Sequence, residues 1–146
     1  MSRVIKFRAW DGIRKRMMTS PKFVEFRFNN KGRLDAVNYN PKGGLQNLEL
    51  MQFTGLTDKN GVDIYESDIL AFHVDWAEQP NKEVIFDDEF HSYVLLSGIE
   101  KEWVAKGSNH YKYWTTDEDN IYLLHQAESY DCEVIGNIYQ HPELLK

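Results

Sequence analysis

The residues best suited to contact another molecule are cations near the start of the chain. Lys6, Arg8 and Trp10 alternate along a predicted strand and so share one face, which sets an aromatic ring beside two positive charges. A basic triplet follows at a predicted hairpin turn. Such a layout suits nucleic-acid phosphates and bases, or an acidic surface of another protomer. The candidate contact residues are Arg3, Lys6, Arg8, Trp10, Arg14, Lys15 and Arg16.

Metal binding has a weaker basis. His73 and Asp75 lie two apart on a predicted strand, so both side chains leave the same face and two metal ligands meet there. A third ligand would have to come from another part of the chain, and spacing places none of the candidates beside the pair. Those candidates are His91, His110 and His125. The sequence therefore predicts no metal and no cofactor.

Catalytic patterns are also weak. Asp87, Asp88 and Glu89 are consecutive, and consecutive strand residues point to opposite faces, so the three acids do not converge. They are typical of a charged hairpin turn. No serine lies in a nucleophile-elbow sequence, and no glycine-rich loop precedes Lys-Ser or Lys-Thr. Cys132, at the start of a predicted strand, is expected to be buried and inert. We predict that the protein is not an enzyme.

Charge is distributed unevenly along the 146 residues. Residues 1–50 hold 11 Lys and Arg against 4 Asp and Glu, a net charge of +7, whereas residues 51–146 hold 6 against 19, a net charge of −13. Such asymmetry indicates nucleic-acid binding or attraction between two parts or two copies of the protein. The acidic part also repels nucleic acid, which weighs against the first alternative.

Composition places the chain among globular proteins. It is 42% hydrophobic and 27% charged, and aromatic residues make up 14%. Many of the aromatic residues alternate with aliphatic ones, which favours strands. A single cysteine excludes an intramolecular disulfide. No apolar run suits a membrane span and the start of the chain lacks a secretory pattern, so we expect a cytoplasmic protein.

The first part of the chain alternates in short segments. Val4–Trp10 reads as a half-buried strand, and Asp11-Gly12 as the turn before a return strand. Phe23–Tyr39 reads as a second hairpin with Gly32 at positive φ in its turn. The sequence Pro41-Lys42-Gly43-Gly44 is the best candidate linker. We predict domains at residues 1–48 and 49–146.

The stretch Leu50–Leu70 contains two tight turns followed by a long predicted strand, Ile69–Trp76. Asp58-Lys59-Asn60-Gly61 has the residue order of a type I turn closed by a left-handed glycine. Turns this close together produce the strong bend that a small barrel requires. The predicted fold is therefore mainly β, with an N-terminal β-hairpin subdomain, a small SH3-like partly open barrel and a minor helix.

Later segments are less patterned. Gly98–Thr116 is expected to be a loop or extra hairpin inserted into the barrel, and Ile121–Ala127 fits either a helix or a strand. Cys132–Tyr139 reads as a strand that bulges at Gly136. Pro142 suits the start of a short helical stub, Pro142–Leu145.

Three segments together resemble a known family. They are Lys6–Asp11, then Phe53–Gly61 (Phe-Thr-Gly-Leu-Thr-Asp-Lys-Asn-Gly) with Ile64–Ile69, then Glu133–Tyr139 (Glu-Val-Ile-Gly-Asn-Ile-Tyr) with Pro142–Leu144. Their order and separation are similar to those of the YopX-like proteins of phages and prophages in low-GC Gram-positive bacteria. The resemblance implies a mostly β protein of phage origin that self-assembles. It supplies no activity, substrate or catalytic residue.

One position departs from the family pattern. Ser67 stands where the family's usual Tyr-Glu-Gly-Asp has glycine. If the turn requires positive φ there, serine costs about 1 kcal/mol; the alternative is that the turn tolerates an ordinary φ. The other motif residues have structural explanations, because Asp58 and Asp68 suit hydrogen bonds to turn amides.

The leading functional hypothesis is a non-enzymatic accessory protein of a phage or prophage, an oligomeric protein that binds a host or phage macromolecule. The basic and acidic parts suit a head-to-tail contact that closes into a ring. The first alternative is a nucleic-acid-binding module that uses the basic N-terminal hairpin. The second is an enzyme, which no converging set of side chains supports.

Overall fold

The computed structural model describes residues 4–19, 24–32, 34–40, 44–73, 79–88, 91–106 and 131–146. In these ranges it contains ten strands, one α-helix and a short 3₁₀ helix. The chain forms two compact units, Met1–Phe53 and Thr54–Lys146. The mainly β fold with a partly open barrel and a minor helix is confirmed, since the strands form two antiparallel sheets, one of them a curled half-barrel. The division into domains 1–48 and 49–146 stays a prediction.

The N-terminal unit is built on one antiparallel sheet with the strand order β2-β1-β5-β4-β3. Its strands are β1 (Phe7–Asp11), β2 (Arg16–Met18), β3 (Val24–Phe28), β4 (Leu34–Asn40) and β5 (Gly44–Thr57). Both predicted hairpins are present: β1 pairs with β2, and β3 pairs with β4 around a turn in which Gly32 has a φ of 72°. The sheet therefore begins and ends with a strand that has one paired edge among the described residues.

This sheet curls toward one face. Strands β1 and β3 are three strand steps apart, about 14 Å in a flat sheet. The rings of Phe7 on β1 and Phe26 on β3 nevertheless have centroids only 5.7 Å apart. On the same face Ala9 and Leu48 are buried and Met18 packs against them. The curl thus gives the N-terminal unit its small core.

Strand β5 begins at Gly44, the last residue of the predicted linker. It extends over 14 residues, Gly44–Thr57, and pairs with β4 and with β1. Asn40 and Gly44 are themselves partners, so the predicted linker lies between two paired strands. The backbone N–H and C=O groups of β5 make these pairings, and the composition around Gly44 does not reveal them.

The C-terminal unit contains a four-stranded antiparallel sheet with the order β10-β7-β8-β9. Its elements are β6 (Asp63–Tyr65), which pairs with β5, then β7 (Asp68–His73), β8 (Lys82–Asp87), β9 (Ser92–Leu96), α1 (Gly98–Ala105), β10 (Asp131–Asn137) and a 3₁₀ helix (Pro142–Leu145). The core combines residues of several strands: Ile64, Leu70, Phe72, Val84, Leu95 and Cys132. The predicted bulge is confirmed, because the β10–β7 register shifts between Val134 and Gly136.

Helix α1 corrects the first part of the loop or hairpin expected at Gly98–Thr116, since Gly98–Ala105 is helical, and residues 107–116 lie outside the described residues. The backbone N–H of Ser97 donates to Glu100 Oε2 at 2.6 Å, and the N–H of Glu100 donates to Ser97 Oγ at 3.3 Å. This is a capping box, which satisfies two backbone donors at the helix start. The signal was present in the sequence as Ser97-Gly98-Ile99-Glu100, next to aromatic residues that favoured strands. Ile121–Ala127 lies outside the described residues.

Candidate partner-binding surface

Asp11 organises the β1–β2 hairpin that carries the basic triplet. Its side chain is 0% exposed, and Oδ1 accepts hydrogen bonds from the backbone N–H groups of Ile13 at 3.1 Å and Arg14 at 2.9 Å. The Arg14 guanidinium donates to Oδ2 at 2.9 Å, and Arg16 Nε lies 3.9 Å from the same oxygen. The buried Asp11 carboxylate therefore stabilises the turn through backbone hydrogen bonds and pairs with the guanidinium groups of Arg14 and Arg16.

The triplet lies at the hairpin turn, as predicted. The Arg14 and Arg16 side chains are 37% and 55% exposed, while Lys15 is exposed with a φ of 53°. Because Asp11 offsets part of the charge of the two arginines, the turn attracts a polyanion less than three unpaired cations would. Arg3 lies outside the described residues.

Lys6, Arg8 and Trp10 were expected to place an exposed aromatic ring beside two cations, and the structure differs at Trp10. Trp10 is only 6% exposed, on a strand where its register partners are Met17 and Glu49. Arg8 is half-buried opposite Met51. Lys6 is exposed, and its Nζ lies 4.5 Å from the centroid of the Phe53 ring. A base has no access to a buried indole, so the structure corrects the predicted stacking role of Trp10; contact by the cations stays a prediction.

Sequence reasoning missed the exposure of apolar side chains on β3. Phe26 and Phe28 are 40% and 78% exposed. In the sequence Val-Glu-Phe-Arg-Phe apolar and charged residues alternate, a pattern typical of a half-buried strand. Whether another part of the protein covers the apolar face depends on tertiary packing, and the residues of the strand alone do not show it.

The opposite face of β3 carries a pair of charges. Arg27 Nη2 donates to Glu25 Oε2 at 2.8 Å, and both side chains are about half exposed. The hydrogen bond from Arg27 lowers the pKa of Glu25, and the Glu25 carboxylate raises the pKa of Arg27. Strand β3 thus presents aromatic rings on one face and an alternating acid and base on the other.

Of the candidate metal ligands, the structure describes His73 and His91. His73 is exposed, with Nε2 at 3.7 Å from Glu133 Oε2, and His91 lies in a turn with a φ of 49°. Asp75, His110 and His125 lie outside the described residues, as does Glu89. Within the part of the chain that the structure describes, no three His, Cys, Asp or Glu side chains group around a common point.

Asp58, in the family motif, has a structural role. Its Oδ1 accepts from the N–H groups of Asn60 at 2.8 Å and Val62 at 2.9 Å, and its Oδ2 accepts from the N–H of Val134 at 3.0 Å. Burial raises the pKa of Asp58, but the N–H groups of Val134, Val62 and Asn60 outweigh that effect, so its pKa is lowered. The carboxylate ties the turn, closed by Gly61 with a φ of 78°, to strand β10.

The second turn of the motif requires positive φ at Ser67, which has a φ of 66°. Its N–H donates to the carbonyl of Val84, and its own carbonyl accepts from the N–H of Ile138. Buried Asp68 accepts from the N–H of Tyr65 at 2.8 Å. The first of the two alternatives for Ser67 is therefore correct.

Two ion pairs join β8 to α1. Lys82 is 2% exposed, and its Nζ lies 3.2 and 3.1 Å from the two carboxylate oxygens of Glu100. The next residue, buried Glu83, pairs with Lys101. Lys82 and Glu100 are 18 residues apart. No local pattern connects the two residues, since nothing in the sequence around Pro80-Asn81 indicates that the lysine that follows is buried.

Cys132 is 4% exposed, and its predicted burial is confirmed. Burial raises the pKa of its thiol, and the negative charge of Asp58 raises it further. A raised thiol pKa disfavours the reactive thiolate.

Among the described residues, no helix has the length and apolar character needed to cross a membrane. The longest is α1, with 8 residues.

Comparisons with known proteins bear on the family and the fold. A family model described as YopX protein matches residues 6–146. The fold is similar to the crystal structure of protein EF1440 from Enterococcus faecalis, with a TM-score of 0.60 and 24% identity over 99% of this chain and 100% of that chain. It is also similar to the structure of protein yopX from Bacillus subtilis, with a TM-score of 0.56 and 18% identity over the same shares of the two chains. No curated protein matches the sequence.

Proposed function

The chain belongs to the YopX family, and from that premise we propose that it is an accessory protein of a phage or prophage: a non-enzymatic, oligomeric protein that binds a host or phage macromolecule in the cytoplasm of the bacterial host. The observation that carries the proposal is the exposure of large apolar side chains in the N-terminal unit.

Five of the eight large apolar side chains that are exposed among the described residues belong to that unit, although it is the smaller one. Their exposed fractions range from 40% to 78%. Exposed apolar surface on a small unit favours association with another molecule, because covering it removes apolar area from water. The five residues are Val4, Ile5, Ile13, Phe26 and Phe28.

The positions of the carboxylates support a non-enzymatic role. Asp11, Asp58 and Asp68 are buried and accept hydrogen bonds from backbone N–H groups of their own turns. Glu100 is occupied by Lys82 and by the helix cap. Carboxylates held in this way stabilise the fold and leave their oxygens engaged with protein donors.

The charge distribution supports self-association. A net charge of +7 on residues 1–50 and −13 on residues 51–146 favours contacts between the basic part of one copy and the acidic part of another. Repeated head to tail, such contacts close into a ring or continue as a filament.

A second candidate function, nucleic-acid binding, is favoured by the exposed cations of the N-terminal unit, Lys6, Lys15 and Arg16. Since Trp10 is buried, binding of this kind would rest on phosphate contacts and would weaken steeply with salt.

The test uses the full chain. Light scattering at low and at physiological salt measures its mass, and immobilised protein captures partners from host lysate with and without nuclease. We expect an oligomer and a nuclease-resistant protein partner. A partner that nuclease removes supports the second candidate and overturns the first, and a monomer under both salt conditions removes the oligomeric part of the proposal.

Variants locate the surface. The double variant Ile13→Ser/Phe28→Ser reduces the apolar exposure of the N-terminal unit, and Val62→Ser/Ile99→Ser is the matched control, with 48% and 64% exposed side chains in the C-terminal unit. We expect the first to lose most of the captured partner and the control to retain it. Equal retention by both would show that the N-terminal unit is not the contact surface.

A further inference from the structure

We propose that strand β3 is a self-pairing edge: it pairs antiparallel with the β3 strand of a second copy, about a two-fold axis that passes between the two Phe26 residues. The inference rests on the proposed function, since it supplies a surface through which the chain self-associates. It differs from the head-to-tail ring because the same strand is used by both copies.

The position of β3 in the sheet is the first reason. It lies at one end of the strand order, and among the described residues its strand partner is β4. Within the part of the chain that the structure describes, no strand pairs with the other edge of β3, and a further strand can pair with the backbone N–H and C=O groups of that edge. The strand at the opposite end of the sheet, β2, has three residues, whereas β3 has five. Longer edge strands are the better templates for strand addition.

The charges on β3 are the second reason. With the axis at Phe26, residue 25 lies opposite residue 27 of the second copy. Each Glu25 then faces an Arg27, and the contact contains two cross-strand ion pairs. Opposite charges directly across an antiparallel pair stabilise it, and like charges destabilise it. The strand is thus complementary to itself in this register.

Other arrangements of two β3 strands are disfavoured. A shift of two residues in one direction sets Glu25 against Glu25, and in the other direction it sets Arg27 against Arg27. A parallel in-register pairing opposes like charges at both positions. A shift of one residue moves the aromatic residues of one copy to the face that carries the charges of the other. Register specificity of this kind favours a second copy over an unrelated strand.

The aromatic face is the third reason. In the proposed register Phe26 faces Phe26 of the second copy, and Phe28 faces position 24. Phe28 is 78% exposed in the single chain, the largest value among the exposed apolar side chains of the described residues. Cross-strand pairs between aromatic residues, or between aromatic and β-branched residues, stabilise antiparallel sheets. Pairing therefore covers Phe26 and Phe28, two of the five exposed apolar side chains of the N-terminal unit.

Charge reversal tests the register. Glu25→Lys and Arg27→Glu each place like charges opposite one another at two symmetric positions, and we expect each to raise the Kd of self-association by about tenfold or more. An equimolar mixture of the two variants restores opposite charges at both positions, so we expect a mixed dimer near wild-type affinity. Analytical ultracentrifugation of the full chain measures all three samples.

The matched controls reverse exposed charges elsewhere in the same unit. Glu49→Lys lies on β5 and Lys31→Glu lies in the β3–β4 turn, and both side chains are exposed. We expect both controls to associate like the wild type. Circular dichroism checks that every variant folds.

Cross-linking gives a second readout. Residues directly opposite across an antiparallel pair have Cα atoms about 4.5–5.5 Å apart, within disulfide range. Phe26→Cys should therefore form a covalent dimer when diamide oxidises the two thiols and is itself reduced. Phe86→Cys, where the side chain is 42% exposed on β8 of the C-terminal unit, is the control that should remain uncross-linked.

The outcomes separate the two proposals. A wild-type chain that is monomeric at both salt conditions overturns self-pairing and the oligomeric part of the proposed function together. A wild-type oligomer whose association is unchanged by both charge reversals overturns the β3 edge alone. Loss in the single variants with recovery in the mixture, together with a Phe26→Cys cross-link, supports the proposed register.

Discussion

The two units of the chain differ in which side chains they bury and which they expose. Among the described residues, the C-terminal unit buries five charged side chains and the N-terminal unit buries Asp11. The N-terminal unit in turn exposes most of the large apolar side chains that remain in water. The five buried charges of the C-terminal unit are Asp58, Asp68, Lys82, Glu83 and Glu100.

Buried charges and exposed aromatic rings differ in the partners that they require. A buried charge requires partners within the same unit, because leaving it unpaired costs several kcal/mol. An exposed aromatic ring gains stability only when another surface covers it. Among the described residues, the buried charges of the C-terminal unit therefore have partners within that unit, whereas the N-terminal unit leaves aromatic rings exposed.

The largest effect on stability is expected at the Lys82–Glu100 pair. Lys82→Met leaves Glu100 buried without its countercharge, so the free energy of unfolding should fall by about 3–5 kcal/mol. Urea denaturation of the full chain measures the change. Lys106→Met is the control, since Lys106 and Glu102 are 75% and 74% exposed, and we expect a change of less than about 0.5 kcal/mol.

A double variant tests whether the two charges act as a pair. Lys82→Met with Glu100→Gln removes both charges, and it should destabilise less than the sum of the single variants. If the losses in the free energy of unfolding add, the Lys82 and Glu100 side chains do not stabilise the fold as a pair.

The next effect is expected at Asp58. Asp58→Ala leaves the N–H groups of Asn60, Val62 and Val134 without their carboxylate, which should lower the free energy of unfolding by about 3 kcal/mol. Asp88→Ala, at an exposed turn position, should change it by less than about 0.5 kcal/mol. Similar losses in both would mean that the buried hydrogen bonds of Asp58 add nothing beyond ordinary turn chemistry.

Acid should remove part of the Asp58 contribution. Its pKa is lowered in the folded chain, so the carboxylate stabilises the fold fully above its unfolded pKa of about 3.9. That contribution is lost as the pH falls from there through the lowered folded pKa. Urea denaturation at a series of pH values between neutral and acidic measures the free energy of unfolding of the wild type and of Asp58→Asn. The difference between the two free energies should become smaller only at acidic pH. A difference that is already narrowing near neutral pH would contradict the lowered pKa.

A smaller effect of opposite sign is expected at Ser67. Its φ of 66° disfavours a residue with a Cβ atom, so Ser67→Gly should raise the free energy of unfolding by about 0.5–1 kcal/mol. The backbone hydrogen bonds to Val84 and Ile138 do not involve the serine side chain and are retained. Ser92→Gly, within strand β9, is the control that should destabilise. Destabilisation by both substitutions would show that the turn is not strained.

The smallest effect on stability is expected at Phe28. Because its ring is 78% exposed, Phe28→Ser should change the free energy of unfolding by less than about 0.5 kcal/mol at concentrations where the chain is monomeric. Thermal and urea denaturation at low protein concentration check this. A loss above about 2 kcal/mol would mean that Phe28 belongs to the core of the N-terminal unit, and the contrast between the units would weaken.

Local chemistry was the part of the fold that the sequence predicted well. The turn closed by Gly61, the bulge at Gly136 and the hairpin closed by Gly32 each depend on a few neighbouring residues. The roles of Asp58 and Asp68 followed from the same reasoning, since their main-chain partners lie within four residues, except for Val134. Helix α1 was also encoded locally, in its capping box, but the surrounding aromatic residues favoured the wrong element.

The surroundings of the candidate contact residues were predicted less well than the turns, because they depend on contacts between residues that are far apart in the chain. Trp10 alternates with Lys6 and Arg8, and the prediction that they share a face used spacing alone. Spacing does not show that Trp10 is buried, because burial depends on how the strands of the sheet pack. The pairing of Lys82 with Glu100 and the exposure of Phe28 depend likewise on which strands and helices come together.

The sequence by itself determined the family, the mainly β class and the turns, because a turn residue acts on backbone groups within a few positions of its own. Tertiary structure decided which faces are buried, which charges meet and which strand is left at an edge. Those properties arise from contacts between residues far apart in the chain, where an alternating pattern distinguishes two faces of a strand without specifying what either face meets.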